Sequence, residues 1–198
     1  MGVDAKTVKE LRDKTGAPMM DCKKALQECD CNIEKAIEHL REKGIASASK
    51  KAGRDTKDGK IISYIHPGDK LGVLVEINCE TDFVAKGEEF TAFARDIAMH
   101  IAAANPLYLD KADVPEDVIV KERQIYAAQA KNENKPEKII EKIAEGRIAK
   151  FYTEVCLLEQ NFVKDDKVKI KDVVKGAISK FGENINIARF VRFNLGEA

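Results

Sequence analysis

The first 44 residues carry apolar side chains at helical spacing, in three short runs separated by turn residues. The first run follows Asp4, a typical helix N-cap, and stops before Gly16, which suits a helix end. The second opens at Pro18, and the third follows Asn32 and ends before Gly44. This pattern predicts a three-helix domain over residues 1–44, a size that is small for a unit folding alone.

The segment that follows, residues 45–59, contains alanine, serine and lysine and few large apolar side chains. We interpret it as a linker, which its alanines could make helical in part. Beyond residue 59, apolar side chains recur at every second position instead of at helical spacing. "KIISYIHPGDKLGVLVEINCE" predicts a β-hairpin that turns at residues 67–70, and the alternation in its second arm indicates a strand with one buried face.

The rest of the chain combines long helical patterns with short β-prone runs. One helix is predicted to end near Ala104, and two more are predicted over residues 115–132 and 136–156. The run "INIARFVRFNL" predicts a closing strand. The predicted fold class is therefore α+β: the three-helix domain, then a small antiparallel sheet packed with helices over residues 60–198.

Composition narrows the possible partners. The chain has 34 Lys and Arg against 34 Asp and Glu, so its formal net charge is zero. A neutral chain lacks the positive field of a general nucleic-acid binder, and we expect no direct contact with nucleic acid. No apolar run approaches the roughly 20 residues that span a bilayer, and the charged start has no signal-peptide core. We expect a cytoplasmic protein with no membrane partner.

Five cysteines are present, and an odd number in a chain expected to be cytosolic indicates free thiols. Cys22, Cys29 and Cys31 are clustered, so a thiolate metal site is conceivable. Their spacing, C-x6-C-x-C, is not a usual zinc pattern, and no histidine sits at ligand spacing. We therefore interpret the cluster as free thiols and expect no metal.

Enzymatic motifs are not supported. "GRDTKDGK" resembles a P-loop, but it has five residues between its glycines instead of four, and Ile61 stands where Ser or Thr is needed. The three histidines (His39, His66, His100) are scattered and lie in no recognisable nucleophile motif. We expect a protein that is not an enzyme and carries no cofactor.

The stretch "INCETDFVAKGEEF" joins the predicted hairpin to the next helix and allows two interpretations. In the first, Thr81 or Asp82 caps the helix, and Phe83, seven residues before Phe90, belongs to the same core stripe. In the second, the main helix begins after Gly87, at an acidic pair suited to a first turn. The residues before it would then form a separate turn that presents a carboxylate and an aromatic ring.

Four segments resemble those of a known family. "EINCETDFVAK" (residues 76–86) and "ELRDKTGAPMMDCKKAL" (residues 10–26) resemble signatures of the bacterial translation elongation factor Ts family. "LLEQNFVKDDK" (residues 157–167) and "RFVRFNLGE" (residues 189–197) are similar to its C-terminal segments. The matches are collinear and cover nearly the whole chain.

This resemblance implies a guanine nucleotide exchange factor for the GTPase elongation factor Tu. Such a factor binds the GDP-bound GTPase, perturbs its Mg²⁺ site and promotes GDP release so that GTP can bind, without covalent chemistry. The resemblance also implies that the N-terminal helices form a ubiquitin-associated-like domain and that the remainder is a core and dimerisation domain. The chain resembles the compact form of the family, which lacks a duplicated core portion and a helical hairpin, so we expect a homodimer.

Two sets of residues would bind the GTPase, by the same resemblance. The set that would disturb the partner's Mg²⁺ site consists of Thr81, Asp82, Phe83 and Val84. The set in the N-terminal domain consists of Arg12, Met19 and Met20. Adjacent helical residues point about 100° apart, so both methionines cannot be equally buried in so thin a unit, and at least one should be exposed.

Two positions depart from the family pattern. Cys31 stands in a loop where relatives usually carry glycine, which bears on the conformation of that loop. Val191 leaves no cysteine in the closing strand for an intersubunit disulfide, so a dimer would be non-covalent. Two other functions stay open: an adaptor that binds without exchanging nucleotide, and a thiol enzyme or metal binder that uses the cysteine cluster.

Overall fold

The computed structural model describes residues 3–197. The first half of the chain forms, in order, α1 (Ala5–Thr15), α2 (Met19–Glu28), α3 (Ile33–Lys51), β1 (Asp58–Ile65), β2 (Leu71–Cys79), α4 (Asp82–Lys86) and α5 (Glu88–Ala104). The second half forms α6 (Glu116–Asn132), α7 (Glu137–Val155), β3 (Asn161–Phe162), β4 (Asp165–Lys169), α8 (Ile170–Phe181) and β5 (Ile185–Asn194).

The strands form a small antiparallel sheet in the order β1-β2-β5, and β3 pairs antiparallel with β4. The predicted hairpin turn closes where the His66 N–H donates to the Leu71 carbonyl at 2.9 Å. Along β2, Val73 and Val75 are buried whereas Leu74 between them is exposed, as the alternation predicted. The α+β fold class is thereby confirmed. The likeness of the N-terminal helices to a ubiquitin-associated domain stays a prediction.

The end of α1 and the start of α3 lie where their flanking residues predicted. Gly16 adopts the left-handed conformation (φ 65°) after α1 and donates its N–H to the Arg12 carbonyl at 2.7 Å. The Asn32 side chain accepts the Lys35 N–H at 3.0 Å and caps α3. The helices enclose a small apolar cluster of Val8, Leu11, Cys22, Ala25, Leu26 and Ala36.

We predicted that the third helix ends before Gly44, but α3 continues to Lys51. A glycine inside a helix costs about 1 kcal/mol relative to alanine, and neighbouring packing can offset that cost. A Cβ at Gly44 would lie 3.3 Å from the Ser179 Cβ, so glycine permits a close approach to α8. The start of the predicted linker 45–59 is therefore helical.

The division into domains 1–44, 45–59 and 60–198 stays a prediction, and residues 1, 2 and 198 lie outside the described residues. By its contacts, the chain forms two compact units. One holds the described residues up to Ile62 together with Glu76–Ala94 and Asp172–Ala188. The other holds Ser63–Val75, Arg95–Lys171 and the described residues from Arg189 onward.

Helices α6 and α7 pack on one another and form a helical hairpin within the second unit. Asn134 has a positive φ of 54° and lies, with Pro136, in the short connection. Arg147 on α7 donates to the side-chain oxygens of Gln129 (2.6 Å) and Glu133 (2.9 Å). The expectation that this short chain lacks a helical hairpin is therefore wrong, because two adjacent amphipathic segments bury their apolar sides against each other.

Candidate functional site

Residues 81–86, which we call the corner, connect β2 to α5 and contain the short helix α4. Gly87 separates the two helices because its backbone is extended (φ −63°, ψ 141°). Its N–H donates to the Val84 carbonyl at 3.0 Å, and its own carbonyl accepts the Thr91 N–H of α5 at 3.1 Å. The interpretation of this stretch as a separate turn is confirmed.

The Phe83 side chain is 85% exposed, the largest value among the large apolar side chains of the described residues. Phe90 on α5 is fully buried, and its ring centroid lies 5.9 Å from that of Phe181. The interpretation that placed Phe83 on the same core stripe is therefore wrong. The extended backbone at Gly87 interrupts the helix, so the helical phase of α5 does not carry back to Phe83.

The other residues of the corner hold it to the protein. Ala85 is buried and Val84 is half-buried, so one side of α4 faces the interior. The Thr81 hydroxyl oxygen accepts the Val84 N–H at 3.4 Å, in the position of a helix N-cap. The corner therefore presents Phe83 outward from a short helix anchored at its base.

Asp82 and Lys86 form an exposed ion pair on α4, with Nζ and Oδ2 2.6 Å apart. The hydrogen bond from Lys86 lowers the pKa of Asp82, and its positive charge acts in the same direction. Asp82 is therefore ionised at neutral pH and lies next to the exposed ring of Phe83.

Two carboxylates fasten the base of the corner, and we call Glu80 and Glu183 the corner clamp. Glu183 accepts the N–H groups of Glu80 (3.1 Å) and Thr81 (3.0 Å) and the Thr81 hydroxyl (2.6 Å). Glu80 accepts the Asn184 N–H at 2.6 Å and pairs with Arg54 at 3.4 Å. The Asn184 N–H, together with Arg54, holds the pKa of Glu80 below its ordinary value.

Sequence reasoning missed the corner clamp. Glu183 lies 102 residues from Thr81 along the chain, in a turn after α8 that carries no recognisable motif. Local patterns contain no signal for such a pairing, because each carboxylate bonds backbone groups of a distant segment.

The second predicted set lies at the junction of α1 and α2. Met19 and Met20 are 44% and 62% exposed, so the expectation that at least one is exposed is confirmed. Arg12 and Met19 line a shallow depression together with Asp13, Gly16, Ala17, Pro18, Glu89 and Lys180. An ion pair of 3.3 Å between Lys180 and Glu89 forms part of its wall.

The cysteine cluster has no disulfide, and its members differ in environment. Cys22 is buried, Cys29 is half-buried and Cys31 is exposed. Cys31 has a positive φ of 60°, which explains why glycine suits this loop position. Among residues 3–197, no group of three or more His, Cys, Asp or Glu side chains could hold a metal ion. Nor does any helix in the described part of the chain have the length and apolar character to cross a bilayer.

Comparison with known proteins places the chain among the translation elongation factors. The family model described as Elongation factor TS matches residues 4–197. The chain is 60% identical to elongation factor Ts of Carboxydothermus hydrogenoformans over 98% of this chain and 90% of that protein. It is 55% identical to elongation factor Ts of Fervidobacterium nodosum over 100% of both chains. The chain therefore belongs to the elongation factor Ts family.

Proposed function

We propose that this protein is a guanine nucleotide exchange factor for the GTPase elongation factor Tu and acts in the cytoplasm during translation elongation. The observation that carries the proposal is the exposed ring of Phe83 beside the ionised Asp82 on an anchored corner. An apolar ring is costly to leave in water unless a partner covers it. Family membership supports the role, and the chain's zero net charge supports a protein partner over nucleic acid.

The corner would act on the metal of the GTPase. Mg²⁺ requires near-ideal octahedral coordination, so a small displacement of the groups around it is costly. Phe83 would wedge between packed elements near the ion, and Asp82 would disturb the network that holds it. Thr81 and Val84 would support and anchor the corner. No bond is made or broken, so the protein is not an enzyme in the covalent sense and needs no cofactor.

Release of the exchange factor follows from linkage. A factor that binds the nucleotide-free GTPase better than the GDP-bound form weakens GDP binding, and nucleotide weakens the factor's binding by the same ratio. Incoming GTP would therefore free the factor for another cycle. The second contact, through Arg12, Met19 and Met20, would hold the GTPase during this exchange, since exposed methionine and arginine are adaptable interface residues.

We also propose a non-covalent homodimer that forms through the sheet in the second unit. Five large apolar side chains of its strands and C-terminal end are exposed: Ile65, Leu74, Val191, Phe193 and Leu195. Four of them, Ile65, Leu74, Phe193 and Leu195, line one depression, and a monomer rarely leaves such an apolar patch in water. An identical face from a second chain would cover it, and Val191 offers no thiol for a covalent link.

Stopped-flow release of fluorescent GDP from elongation factor Tu tests the exchange function. The wild-type protein should accelerate release, and Phe83→Ala should slow that acceleration at least tenfold, about 1.4 kcal/mol in barrier height. Leu107→Ala is a matched control, because Leu107 is also an exposed apolar side chain at 62%. Binding without acceleration by the wild type would favour the adaptor function, and zinc found by elemental analysis would favour the metal binder.

A further inference from the structure

The corner that carries Phe83 and Asp82 lacks the length to hold its own direction. Helix α4 has five residues, and isolated helices of that length are not stable. Gly87 separates it from α5, so the long helix does not continue into it. The direction of Phe83 must therefore be set by tertiary contacts, which are the packing of Ala85 and the hydrogen bonds at the base of α4.

The hydrogen bonds at the base are concentrated on one carboxylate. Glu183 accepts three hydrogen bonds, from the Glu80 N–H, the Thr81 N–H and the Thr81 hydroxyl, all at 2.6 to 3.1 Å. Hydrogen bonds to an ionised acceptor are about twice as strong as those between neutral groups. The Thr81 hydroxyl is also the helix cap, so Glu183 orients the group that starts α4.

The clamp is reciprocal, which makes it stiffer than a single contact. Glu80 accepts the Asn184 N–H, so each carboxylate bonds the backbone next to the other. The Asn184 side chain donates to the Arg54 carbonyl at 2.8 Å and ties in the segment that follows α3. The turns at Glu80 and Glu183 and the segment at Arg54 are therefore joined by one hydrogen-bond network.

We infer that Glu183 is a positioning residue for nucleotide exchange: its carboxylate holds the corner in the orientation in which Phe83 meets the GTPase. This inference rests on the proposed exchange function. Glu183 itself need not touch the partner, because its three acceptor contacts are all with the base of the corner.

Hydrogen exchange of the free protein tests the structural half of this inference without the GTPase. In Glu183→Ala the amides of Glu80 and Thr81 lose their acceptor and should exchange at least tenfold faster, because their protection depends on this one carboxylate. Amides in the middle of α5 should keep their rates. Unchanged protection at Glu80 and Thr81 would overturn the inference.

Stopped-flow GDP release tests the functional half. A misplacement of about 1 Å can cost up to a hundredfold in rate, so Glu183→Ala should lower the maximal exchange rate by about tenfold or more. The concentration for half-maximal rate should change much less, because the other contacts with the GTPase remain. Glu183→Gln keeps one acceptor oxygen, so its maximal exchange rate should lie between those of the wild type and Glu183→Ala. This variant replaces Glu183→Ala if the alanine variant unfolds. Glu141→Ala, on the exposed side of α7, is the matched control.

A double variant separates positioning from a contact of its own. If Glu183 acts by positioning the corner, Glu183→Ala should lower the rate of Phe83→Ala by clearly less than it lowers the wild-type rate, because only Asp82 is then left to misplace. Additive losses, or a full rate in Glu183→Ala when Phe83→Ala is slow, would overturn the positioning role and leave the proposed function standing. A wild-type protein that fails to accelerate GDP release would overturn both.

Discussion

Lys86 lies one helical turn after Asp82, and its Nζ is 2.6 Å from the Asp82 Oδ2. The carboxylate proposed to act on the GTPase is thus already engaged by a lysine of the same short helix. Both side chains are exposed, so the pair can open at little cost when a partner approaches. The contact keeps Asp82 ionised and orients it on the side of α4.

Lys86→Gln should raise the pKa of Asp82, because the charge-assisted hydrogen bond and the positive charge that lower it are removed. Carboxyl carbon chemical shifts followed by NMR against pH would measure this. The thermal melting midpoint should hardly change, since exposed ion pairs contribute little to stability. Lys150→Gln, which removes the similar pair with Glu154 on α7, should leave the Asp82 titration unaltered.

Two phenylalanines seven residues apart should respond oppositely to truncation. Phe90→Ala should lower the free energy of unfolding by about 3–5 kcal/mol, because it leaves a cavity beside Phe181. Phe83→Ala should change it by no more than about 0.5 kcal/mol, because the ring is 85% exposed. Urea unfolding followed by circular dichroism measures both. A large loss of unfolding free energy in Phe83→Ala would indicate that this ring is part of the core.

Met20→Ala should weaken binding of the nucleotide-free GTPase about tenfold, or about 1.4 kcal/mol, if the methionine is an interface anchor. The methionine is 62% exposed, so its removal should leave the stability of α2 intact. Isothermal titration calorimetry measures the affinity. Ile139→Ala is the control, an exposed apolar side chain on α7 outside the predicted surface, and an equal loss there would argue against a specific anchor.

Phe193→Glu should convert the proposed homodimer into monomers. A charge at the exposed apolar face would be buried without a partner on association, which costs several kcal/mol. The monomer itself should remain folded, because Phe193 is 67% exposed. Sedimentation velocity measures the change. Val120→Glu on α6 introduces the same charge at another exposed position, and it should leave the dimer intact.

Stability should fall as the pH drops below about 6.5, because His100 is buried in its neutral form. Its Nδ1 accepts the Val163 N–H at 3.3 Å, so the ring proton lies on Nε2, which donates to the Gln160 side chain at 3.0 Å. Burial holds the pKa of His100 below its ordinary value, although the Gln160 hydrogen bond opposes this in part.

The direction in which stability changes with pH follows from proton linkage. Between the unfolded and folded pKa values the unfolded chain binds more protons, so stability rises with pH, by at most about 1.4 kcal/mol per unit. The contribution of His100 is complete above the unfolded value and is lost as the pH falls toward the folded one. Urea unfolding at pH about 7.5 and about 5.5 measures it. His100→Gln should reduce the difference, and an unchanged difference would assign it to other groups.

Much of the secondary structure was readable from short stretches of sequence. The end of α1 follows from Gly16, whose left-handed φ suits glycine, and the start of α3 follows from Asn32, whose side chain caps that helix. The alternation along β2 predicted which of Val73 and Leu74 is buried. Each of these features depends on residues within a few positions of one another, so a local pattern contains the information.

Phe83 shows where local reading became ambiguous. Its spacing from Phe90 fits one continuous helix, and only the extended backbone at Gly87 decides that the ring leaves the core. At Gly44 the local pattern predicted a helix end. The helix instead continues to Lys51, and Gly44 lies close to Ser179.

The linear order of residues was enough for the end of α1, the start of α3, the hairpin and the resemblance of the corner to a known family, because these depend on neighbours in the chain. The linear order did not reveal that the Glu183 carboxylate accepts the Thr81 N–H, 102 positions away along the chain. Folding brings those groups to hydrogen-bond distance, and the energy of such a contact depends on separation and angle in space rather than on spacing along the chain.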